Sequence, residues 1–368
     1  MLPIIAGRAL LVATCMPFVT AVSRLALAGH PQGEPLPKWR SAPTRAFLAW
    51  WARFLLRAGF ACVPTVTGSE HLASAEAARA VIVYNHVSFL DSLALEGACG
   101  APSPVAKAGV ADAPGFGAFA RALQCVFVSR AGSDDRAAAD RTASLPPSPP
   151  TSRPSSADPG ATTPVTPPVA GGSGASGAIA ARAADGRFPL VALAPEGTTK
   201  AGACLLRFRT GAFVPGRPVL PVLLSYGGGG GPGARGAPSS FHPGWGRVAS
   251  SLAHFLRSQV APRNALAIRI LPLYTPSPAE AADPARFAEN VRHHMAAALG
   301  LPPVATSLGE WAALKQAGIC TDVWGRRVLW RPVAGGPLEE LEGGVGAVRA
   351  GAAAAGAAAG GGGRDKRD

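Results

Sequence analysis

Short apolar runs alternate with stretches of helical periodicity from about residue 70 onward. These runs have the length and the branched, apolar composition of buried strands. They lie at residues 80–84, 126–128, 190–194, 219–226 and 267–272. Helical patterns lie between them, at residues 90–97, 115–123 and 284–299. Strands that alternate with helices predict an α/β fold with a largely parallel sheet and flanking helices.

The N-terminus has a different pattern, because it is apolar without alternation. Residues 9–23 carry no charge and are flanked by Arg8 and Arg24. This run is shorter than the ~20 residues that a spanning helix needs. A signal peptide has a similar basic start and short apolar run, but no clear small-residue cleavage site follows. We therefore expect a retained membrane anchor or a re-entrant segment.

A second apolar segment, residues 46–63, combines large side chains with two arginines. Arg53 and Arg57 are four residues apart, so they share one face of a helix. The large side chains are Trp50, Trp51, Phe54, Leu55, Leu56 and Phe60. This pattern is typical of a helix in the membrane interface, and an amphipathic helix on a soluble core shares it. Two such segments in tandem favour membrane association for residues 1–63.

Composition separates the ordered from the disordered parts of the chain. The sequence contains 45 glycines and 36 prolines, and they are clustered. Residues 144–177 consist almost wholly of Pro, Ser, Thr, Gly and Ala, and a Gly/Ala tail ends the chain. Such segments cannot bury enough apolar surface to offset the entropy of ordering. We therefore expect an α/β domain at 64–330 with a disordered insertion at 144–177, followed by a disordered tail at 331–368.

Charge and cysteine content narrow the classes of function. The formal net charge of +13 favours anionic partners such as nucleic acid, an acidic membrane face or phosphorylated substrates. Aromatic residues make up 7% and do not interleave with a basic patch, so we expect no nucleic-acid partner. The six cysteines show no C-x-x-C spacing, and we expect neither a disulfide framework nor a metal site.

The most informative segment is Tyr84-Asn85-His86-Val87-Ser88-Phe89-Leu90-Asp91. A strand ends at its start and a helix follows, so His86 lies at the carboxyl edge of the sheet, where open α/β folds place their sites. Asp91 can fold back from the helix start to the imidazole. A carboxylate on one ring nitrogen fixes the tautomer and leaves the other nitrogen as a base. A structural turn histidine is the alternative when this motif is considered alone.

Three further motifs follow strands or lie within them. Glu196, Gly197 and Thr198 follow the run at 190–194, where a buried carboxylate needs hydrogen bonds or a polar ligand. The alternative is a plain turn in which Thr198 caps the next segment. Arg130 follows the run at 126–128 and can clamp a phosphate, with Lys107 upstream as a second cation, or form a surface ion pair.

The last of these motifs is the strand Val219-Leu220-Pro221-Val222. Because proline cannot donate to a ladder, this strand is either an edge strand or a wall of an apolar pocket.

The order of these motifs resembles that of the glycerophospholipid acyltransferases. H-x-x-x-x-D, F-V-S-R, P-E-G-T and V-x-P-V occur here in that order. The flanking sequence is similar to the lysophosphatidylcholine/lysophosphatidylethanolamine acyltransferase branch. The similar segments are NHVSFLD, VAKAGVADAPGFGAFARALQCVFVSR and APEGTTKAGACLLRFRTGAFVPGRPVLPVLLSY. The resemblance covers roughly residues 63–318. The insertion at 144–177 departs from it, as does Ala194, where the family often has an aromatic residue.

The resemblance implies an acyltransferase domain that moves an acyl group from acyl-CoA to a lysophospholipid hydroxyl at a membrane. His86 would be the general base and Asp91 would orient it. Backbone N–H groups at the start of the following helix would support the oxyanion. The resemblance assigns the glycerophospho head to Lys107, Arg130, Glu196, Gly197 and Thr198. It assigns the acyl chain to a site shaped by Pro221. It implies no metal or redox cofactor.

Other interpretations stay open at this point. A glycerol-3-phosphate or lysophosphatidic acid acyltransferase would use the same motifs on a smaller acceptor, and a non-catalytic membrane lipid-binding protein would keep only the fold. The text after the fourth motif favours the lysophospholipid branch, and the His86/Asp91 pair favours an enzyme. Because acyl-CoA is made available in the cytosol, we expect an endomembrane location such as the endoplasmic reticulum with the site facing the cytosol.

Overall fold

The structure is a computed structural model. It describes the N-terminal and central parts of the chain and leaves several loops and the tail undescribed. The described residues are 2–128, 174–199, 204–226, 255, 258–259, 263–301, 303–309 and three short strands between 320 and 340. Most of the segment at 144–177, Arg130 and most of the tail lie outside these residues.

Eight α-helices and two short 3-10 turns, Ala108–Val110 and Thr210–Ala212, lie in the described part of the chain. A π-helical turn, Leu55–Gly59, continues the second helix. The helices are α1 (Leu2–Leu27), α2 (Lys38–Phe54), α3 (His71–Ala77), α4 (Asp91–Ala98), α5 (Phe116–Ala122), α6 (Ala175–Ala184), α7 (Pro278–Ala282) and α8 (Pro284–Leu299).

Seven strands form one sheet in the order β1-β7-β6-β2-β5-β3-β4. All neighbouring pairs are parallel except β6 with β7, which is antiparallel. The strands are β1 (Thr65–Thr67), β2 (Val81–Tyr84), β3 (Ser103–Lys107), β4 (Val126–Val128), β5 (Val191–Leu193), β6 (Val219–Tyr226) and β7 (Leu266–Ile270). A small antiparallel sheet joins β8 (Cys320–Thr321), β9 (Val328–Trp330) and β10 (Glu339–Glu340).

The central strand β2 explains why the sheet is covered on both faces. All four of its residues are buried, and successive side chains of a strand point to opposite faces. Ile82 and Tyr84 belong to the core that includes residues of α2, α4 and α5. Val81 and Val83 belong to the core that includes residues of α6 and α8. The predicted α/β fold with a largely parallel sheet and flanking helices is confirmed.

Strands β1, β3 and β8–β10 and one helix boundary differ from the sequence prediction, and β10 lies in the tail at 331–368 that was expected to be disordered. The sequence patterns did not indicate β1 or β3, because β1 is exposed over its three residues and β3 contains Pro104 and ends in Lys107. Helix α6 begins at Ala175, inside the end of the segment expected to be disordered. Its buried residues Ile179 and Ala183 are four apart, so packing of one face extends the helix upstream through small residues.

The first helix packs along one side against the rest of the protein and is exposed along the other. Val19 and Ser23 are fully buried, and the Thr20 hydroxyl donates to the carbonyl oxygen of Gly115 at 2.9 Å. Leu10 and Phe18 are 64% and 57% exposed. The stretch Pro3–Leu27 is long and apolar enough to cross a membrane, judged by length and composition.

The second helix does not divide into one aromatic and one arginine face. Trp51 is buried in the core, whereas Trp50 and Phe54 are exposed and stack on each other. Arg53 donates to the carbonyl oxygen of Gly97 on α4 at 2.7 Å. This helix therefore packs on the core with one face, as the amphipathic alternative predicts, and still exposes aromatic rings on another.

Candidate active site

His86 and Asp91 meet at the carboxyl edge of the sheet. His86 follows β2, and Asp91 is the first residue of α4. The imidazole Nδ1 lies 2.8 Å from Asp91 Oδ2. Because a carboxylate only accepts, Nδ1 carries the proton that it donates, and Nε2 is left to take a proton from a substrate. The His86 side chain is 25% exposed and that of Asp91 is fully buried, so the base is accessible and its partner is not.

Backbone donors hold the Asp91 carboxylate in place. The N–H groups of Val87 and Ser88 donate to the same Oδ2 at 2.6 and 2.9 Å. These bonds offset the cost of burying the charge and fix the loop between β2 and α4. The N–H groups of Val87 and Ser88 are thus committed to Asp91 and are not available to support an oxyanion.

The neighbouring strand β6 contributes two further contacts to this loop. The Asn85 amide donates to the carbonyl oxygen of Leu224 at 2.9 Å and accepts from the N–H of Leu224 at 2.8 Å. We call this pair of bonds the Asn85 bridge. Two residues further on, the Tyr226 hydroxyl donates to Asp91 Oδ1 at 2.6 Å. No local sequence pattern indicates these two contacts, because 139 and 135 positions separate the partners.

Glu196 lies beside His86 but points into the protein. It is fully buried after β5. Its Oε1 accepts from the backbone N–H of His86 at 3.1 Å, and its Oε2 accepts from the backbone N–H of Leu206 at 2.9 Å. Both carboxylate oxygens therefore accept backbone N–H groups, and one of these groups belongs to His86.

Gly197 and Thr198 form the turn that follows Glu196. Gly197 has a φ of 72°, a conformation that glycine adopts without strain. A Cβ there would come within 3.3 Å of Arg209 Cδ and 3.1 Å of Leu308 Cδ2. Thr198 is partly buried, and its hydroxyl is 3.4 Å from the carbonyl oxygen of Thr199. The turn thus brings the backbone of Gly197 close to the side chain of Arg209, which is exposed.

The remaining predicted residues are not all at this edge. Lys107 ends β3, on the same carboxyl edge as His86, and is exposed. Arg130 lies two residues beyond the end of β4, outside the described residues. Pro221 is buried within β6, where it pairs with Val83, and its carbonyl oxygen accepts from Leu271.

The edge-strand alternative for Pro221 is wrong, because β6 lies between β7 and β2. Proline is tolerated inside this sheet because the ladder to β7 begins only at the next residue, Val222.

Several other ionisable groups in the described residues are held neutral by burial. Burial raises the pKa of the thiols of Cys62, Cys99 and Cys125 to about 12, so these thiols are not nucleophiles at neutral pH. Burial also raises the pKa of Glu96 on α4 well above its ordinary value, and its Oε2 has no hydrogen-bond partner. No group of three or more His, Cys, Asp or Glu in the described part of the chain could hold a metal ion.

Taken together, the fold and the site define a class of protein. An imidazole that a carboxylate holds at the open edge of a mostly parallel sheet can act as a general base, which removes the proton of a hydroxyl group during group transfer. A family model described as Acyltransferase matches residues 63–146, which include this pair.

Several curated proteins are similar over much of the chain. Lysophosphatidylcholine acyltransferase 2 from Mus musculus is 29% identical over 298 residues, which are 80% of this chain and 46% of that protein. Lysophospholipid acyltransferase LPEAT1 from Arabidopsis thaliana is 34% identical over 246 residues, or 63% of this chain and 49% of that protein. The chain thus spans about half the length of these relatives.

The solved structure of the 1-acyl-sn-glycerophosphate (LPA) acyltransferase PlsC from Thermotoga maritima is 16% identical. It covers 80% of this chain and 93% of its own, with a TM-score of 0.44. Residues 63–146 thus match the Acyltransferase family model, and the chain is similar to curated lysophosphatidylcholine and lysophospholipid acyltransferases.

Proposed function

We propose that this protein is an acyl-CoA-dependent lysophospholipid acyltransferase that re-acylates lysophosphatidylcholine or lysophosphatidylethanolamine. The observation that carries the proposal is the 2.8 Å contact between His86 Nδ1 and Asp91 Oδ2, with His86 partly exposed at the sheet edge. The relatives are lysophosphatidylcholine and lysophospholipid acyltransferases, which supports the substrate class.

In this mechanism His86 Nε2 takes the proton of the lysolipid hydroxyl as its oxygen attacks the thioester carbon of acyl-CoA. The tetrahedral intermediate then collapses with cleavage of the C–S bond, and the imidazolium returns the proton to the leaving CoA thiolate. Asp91 stabilises the imidazolium through Nδ1. The acyl group passes directly to the acceptor, in keeping with the high thiol pKa of Cys62, Cys99 and Cys125. The proposal needs no metal or redox cofactor.

We assign the lysolipid phosphate to the cationic part of the same edge. Strand β3 is separated from β2 by β5 alone, so Lys107 lies two strand spacings from His86, about 10 Å. A glycerophospho group that places its hydroxyl at His86 can therefore extend its phosphate towards Lys107. Arg130 follows β4, the next strand along, and we assign it to the same phosphate.

Glu196, in contrast, serves this site as a support for the His86 backbone, because both of its oxygens accept backbone N–H groups. We assign binding of the head group to the backbone of Gly197 and Thr198. Pro221 is within β6 and buried, so any role in acyl-chain binding would be through the packing of that strand.

We also propose that the protein works on an endomembrane such as the endoplasmic reticulum, with its site on the cytosolic side. Helix α1 has the length and composition to cross a membrane. The exposed rings of Trp50 and Phe54 on α2 suit the interface, where aromatic residues are enriched. A lysolipid held in the bilayer would then reach the site without leaving the membrane.

The proposal is tested with the purified full-length protein in lipid nanodiscs. Acyl-CoA is supplied with lysophosphatidylcholine, lysophosphatidylethanolamine, lysophosphatidic acid or glycerol-3-phosphate, and products are quantified by mass spectrometry. We expect phosphatidylcholine or phosphatidylethanolamine to form fastest. Preferential acylation of lysophosphatidic acid or glycerol-3-phosphate would replace the substrate assignment, and transfer to none of the four would contradict the proposed activity.

A further inference from the structure

We propose that Tyr226 is a positioning residue for the His86–Asp91 pair: it holds the second oxygen of the Asp91 carboxylate so that the first stays on His86. This inference rests on the proposed acyl transfer. It is carried by the geometry at the end of β6, a strand whose carboxyl end lies beside that of β2.

The two oxygens of Asp91 have different partners. Oδ2 faces the loop and accepts from His86 Nδ1 and from two backbone N–H groups. Oδ1 faces β6 and accepts from the Tyr226 hydroxyl at 2.6 Å. A carboxylate can rotate about its Cβ–Cγ bond, and a donor on each oxygen prevents that rotation. Together with the two backbone donors, Tyr226 thus fixes the plane of the carboxylate and the angle at which it meets the imidazole.

The Asn85 bridge gives Tyr226 a fixed place from which to do this. Asn85 immediately precedes His86, and it exchanges two hydrogen bonds with the backbone of Leu224. Leu224 and Tyr226 are two residues apart on one strand, so their side chains lie on the same face of the sheet. This bridge fixes the end of β6 relative to the His86 loop, so the Tyr226 hydroxyl stays within hydrogen-bonding distance of Asp91.

The phenol is also suited to stay protonated while it donates to Asp91. Burial, followed by the charge of Asp91 and the hydrogen bond to it, raises the pKa of Tyr226 well above its ordinary value. The hydroxyl therefore keeps its proton throughout the pH range in which the imidazole works. Because the ring of Tyr226 packs against the core, the hydroxyl alone can be removed with little change in packing.

The test is Tyr226→Phe, measured by steady-state acyl transfer in nanodiscs. A hydrogen bond to a charged group corresponds to about a 10- to 100-fold effect, so we expect kcat to fall by about that factor. The KM for lysophosphatidylcholine should change little, because Tyr226 acts through Asp91 rather than on the substrate. A variant with wild-type kcat would overturn the assignment.

Tyr274→Phe is the matched control. Tyr274 also donates its hydroxyl to a carboxylate, Glu280 Oε1, at 2.7 Å, between the start of α7 and the region after β7. Removing the Tyr274 hydroxyl breaks an equivalent hydrogen bond and leaves the contacts of the His86 loop unchanged. We expect its cost in thermal stability to match that of Tyr226→Phe or exceed it, with kcat unchanged. An equal loss of kcat in both variants would show that Tyr226 has only a structural role.

A double-variant comparison tests whether Tyr226 acts through Asp91. In the Asp91→Asn background the charge that Tyr226 holds is already gone, so adding Tyr226→Phe should lower kcat by much less than it does in the wild type. If the two substitutions lower kcat by independent factors that multiply in the double variant, the proposal is overturned. The phenol would then affect kcat without acting through Asp91.

A readout without substrate separates this inference from the proposed function. Diethyl pyrocarbonate modifies unprotonated imidazole nitrogen, and its rate at His86 can be followed by peptide mass spectrometry, with His71 as an internal reference. We expect Tyr226→Phe and Asp91→Asn both to slow modification of His86 relative to His71. If the wild type transfers no acyl group, the proposed function fails, and these rates still decide the role of Tyr226: an unchanged rate in Tyr226→Phe would overturn it.

Discussion

Replacing Asp91 by asparagine removes one charge at the centre of the site with little change in shape. Four donors converge on the carboxylate: His86 Nδ1, two backbone N–H groups and the Tyr226 hydroxyl. An amide oxygen can still accept from the first three if the amide nitrogen turns towards Tyr226, whose hydroxyl can accept as well as donate. The loop should therefore keep its conformation, and the main loss is electrostatic.

The size of the loss follows from the distance between the two groups. With His86 Nδ1 2.8 Å from Asp91 Oδ2, the centres of the imidazolium and carboxylate charges are about 4 Å apart. At an effective dielectric constant of 20, this corresponds to an attraction of about 4 kcal/mol. Since each 1.4 kcal/mol is about tenfold in rate, we expect Asp91→Asn to lower kcat by roughly 10²–10⁴.

The assay is acyl transfer from acyl-CoA to lysophosphatidylcholine in nanodiscs, with kcat and KM determined at neutral pH. Asp112→Asn is the control, because Asp112 is an exposed carboxylate in a surface ion pair with Arg121 at 3.4 Å. That variant should keep wild-type turnover. A properly folded Asp91→Asn protein with less than about a tenfold loss in kcat would refute the argument that the carboxylate stabilises an imidazolium.

Two further predictions concern other residues. Because burial raises the pKa of Glu96, the folded protein keeps a proton that the unfolded chain releases above about pH 4.5, and stability falls as pH rises. Glu96→Gln removes this penalty, so its unfolding temperature should exceed that of the wild type by a margin that widens between pH 5 and 8; a constant margin would contradict it. Lys107→Ala should raise the KM for lysophosphatidylcholine about tenfold and leave kcat nearly unchanged, whereas Arg286→Ala, which removes an exposed cation on α8, should leave both unchanged.

The sequence predicts those parts of the fold that local patterns determine. The strand at Val219–Tyr226 and the helix at Pro284–Leu299 have the bounds that their apolar patterns indicate. Strand β3 escapes the pattern because it is held by pairing with both β4 and β5 rather than by apolar content of its own.

The site shows the same division between local and distant information. His86 and Asp91 are five residues apart, and the turn between a strand and a helix is enough to bring them together. Tyr226 and the partner of Asn85 come from a strand more than 130 residues away, and only the sheet order β6-β2 makes them neighbours. Glu196 was correctly placed at a strand end, but its direction depends on the His86 and Leu206 backbone, which no local pattern specifies.

The most direct test of the central claim is acyl transfer by His86→Ala. The purified variant and the wild type are compared in the same nanodiscs with acyl-CoA and lysophosphatidylcholine, and their unfolding temperatures confirm that both are folded. Because general-base assistance contributes roughly 10²–10⁴ in rate, we predict that the variant loses acyl transfer almost completely. Substantial turnover by the folded His86→Ala protein would contradict the assignment of the base and the mechanism built on it.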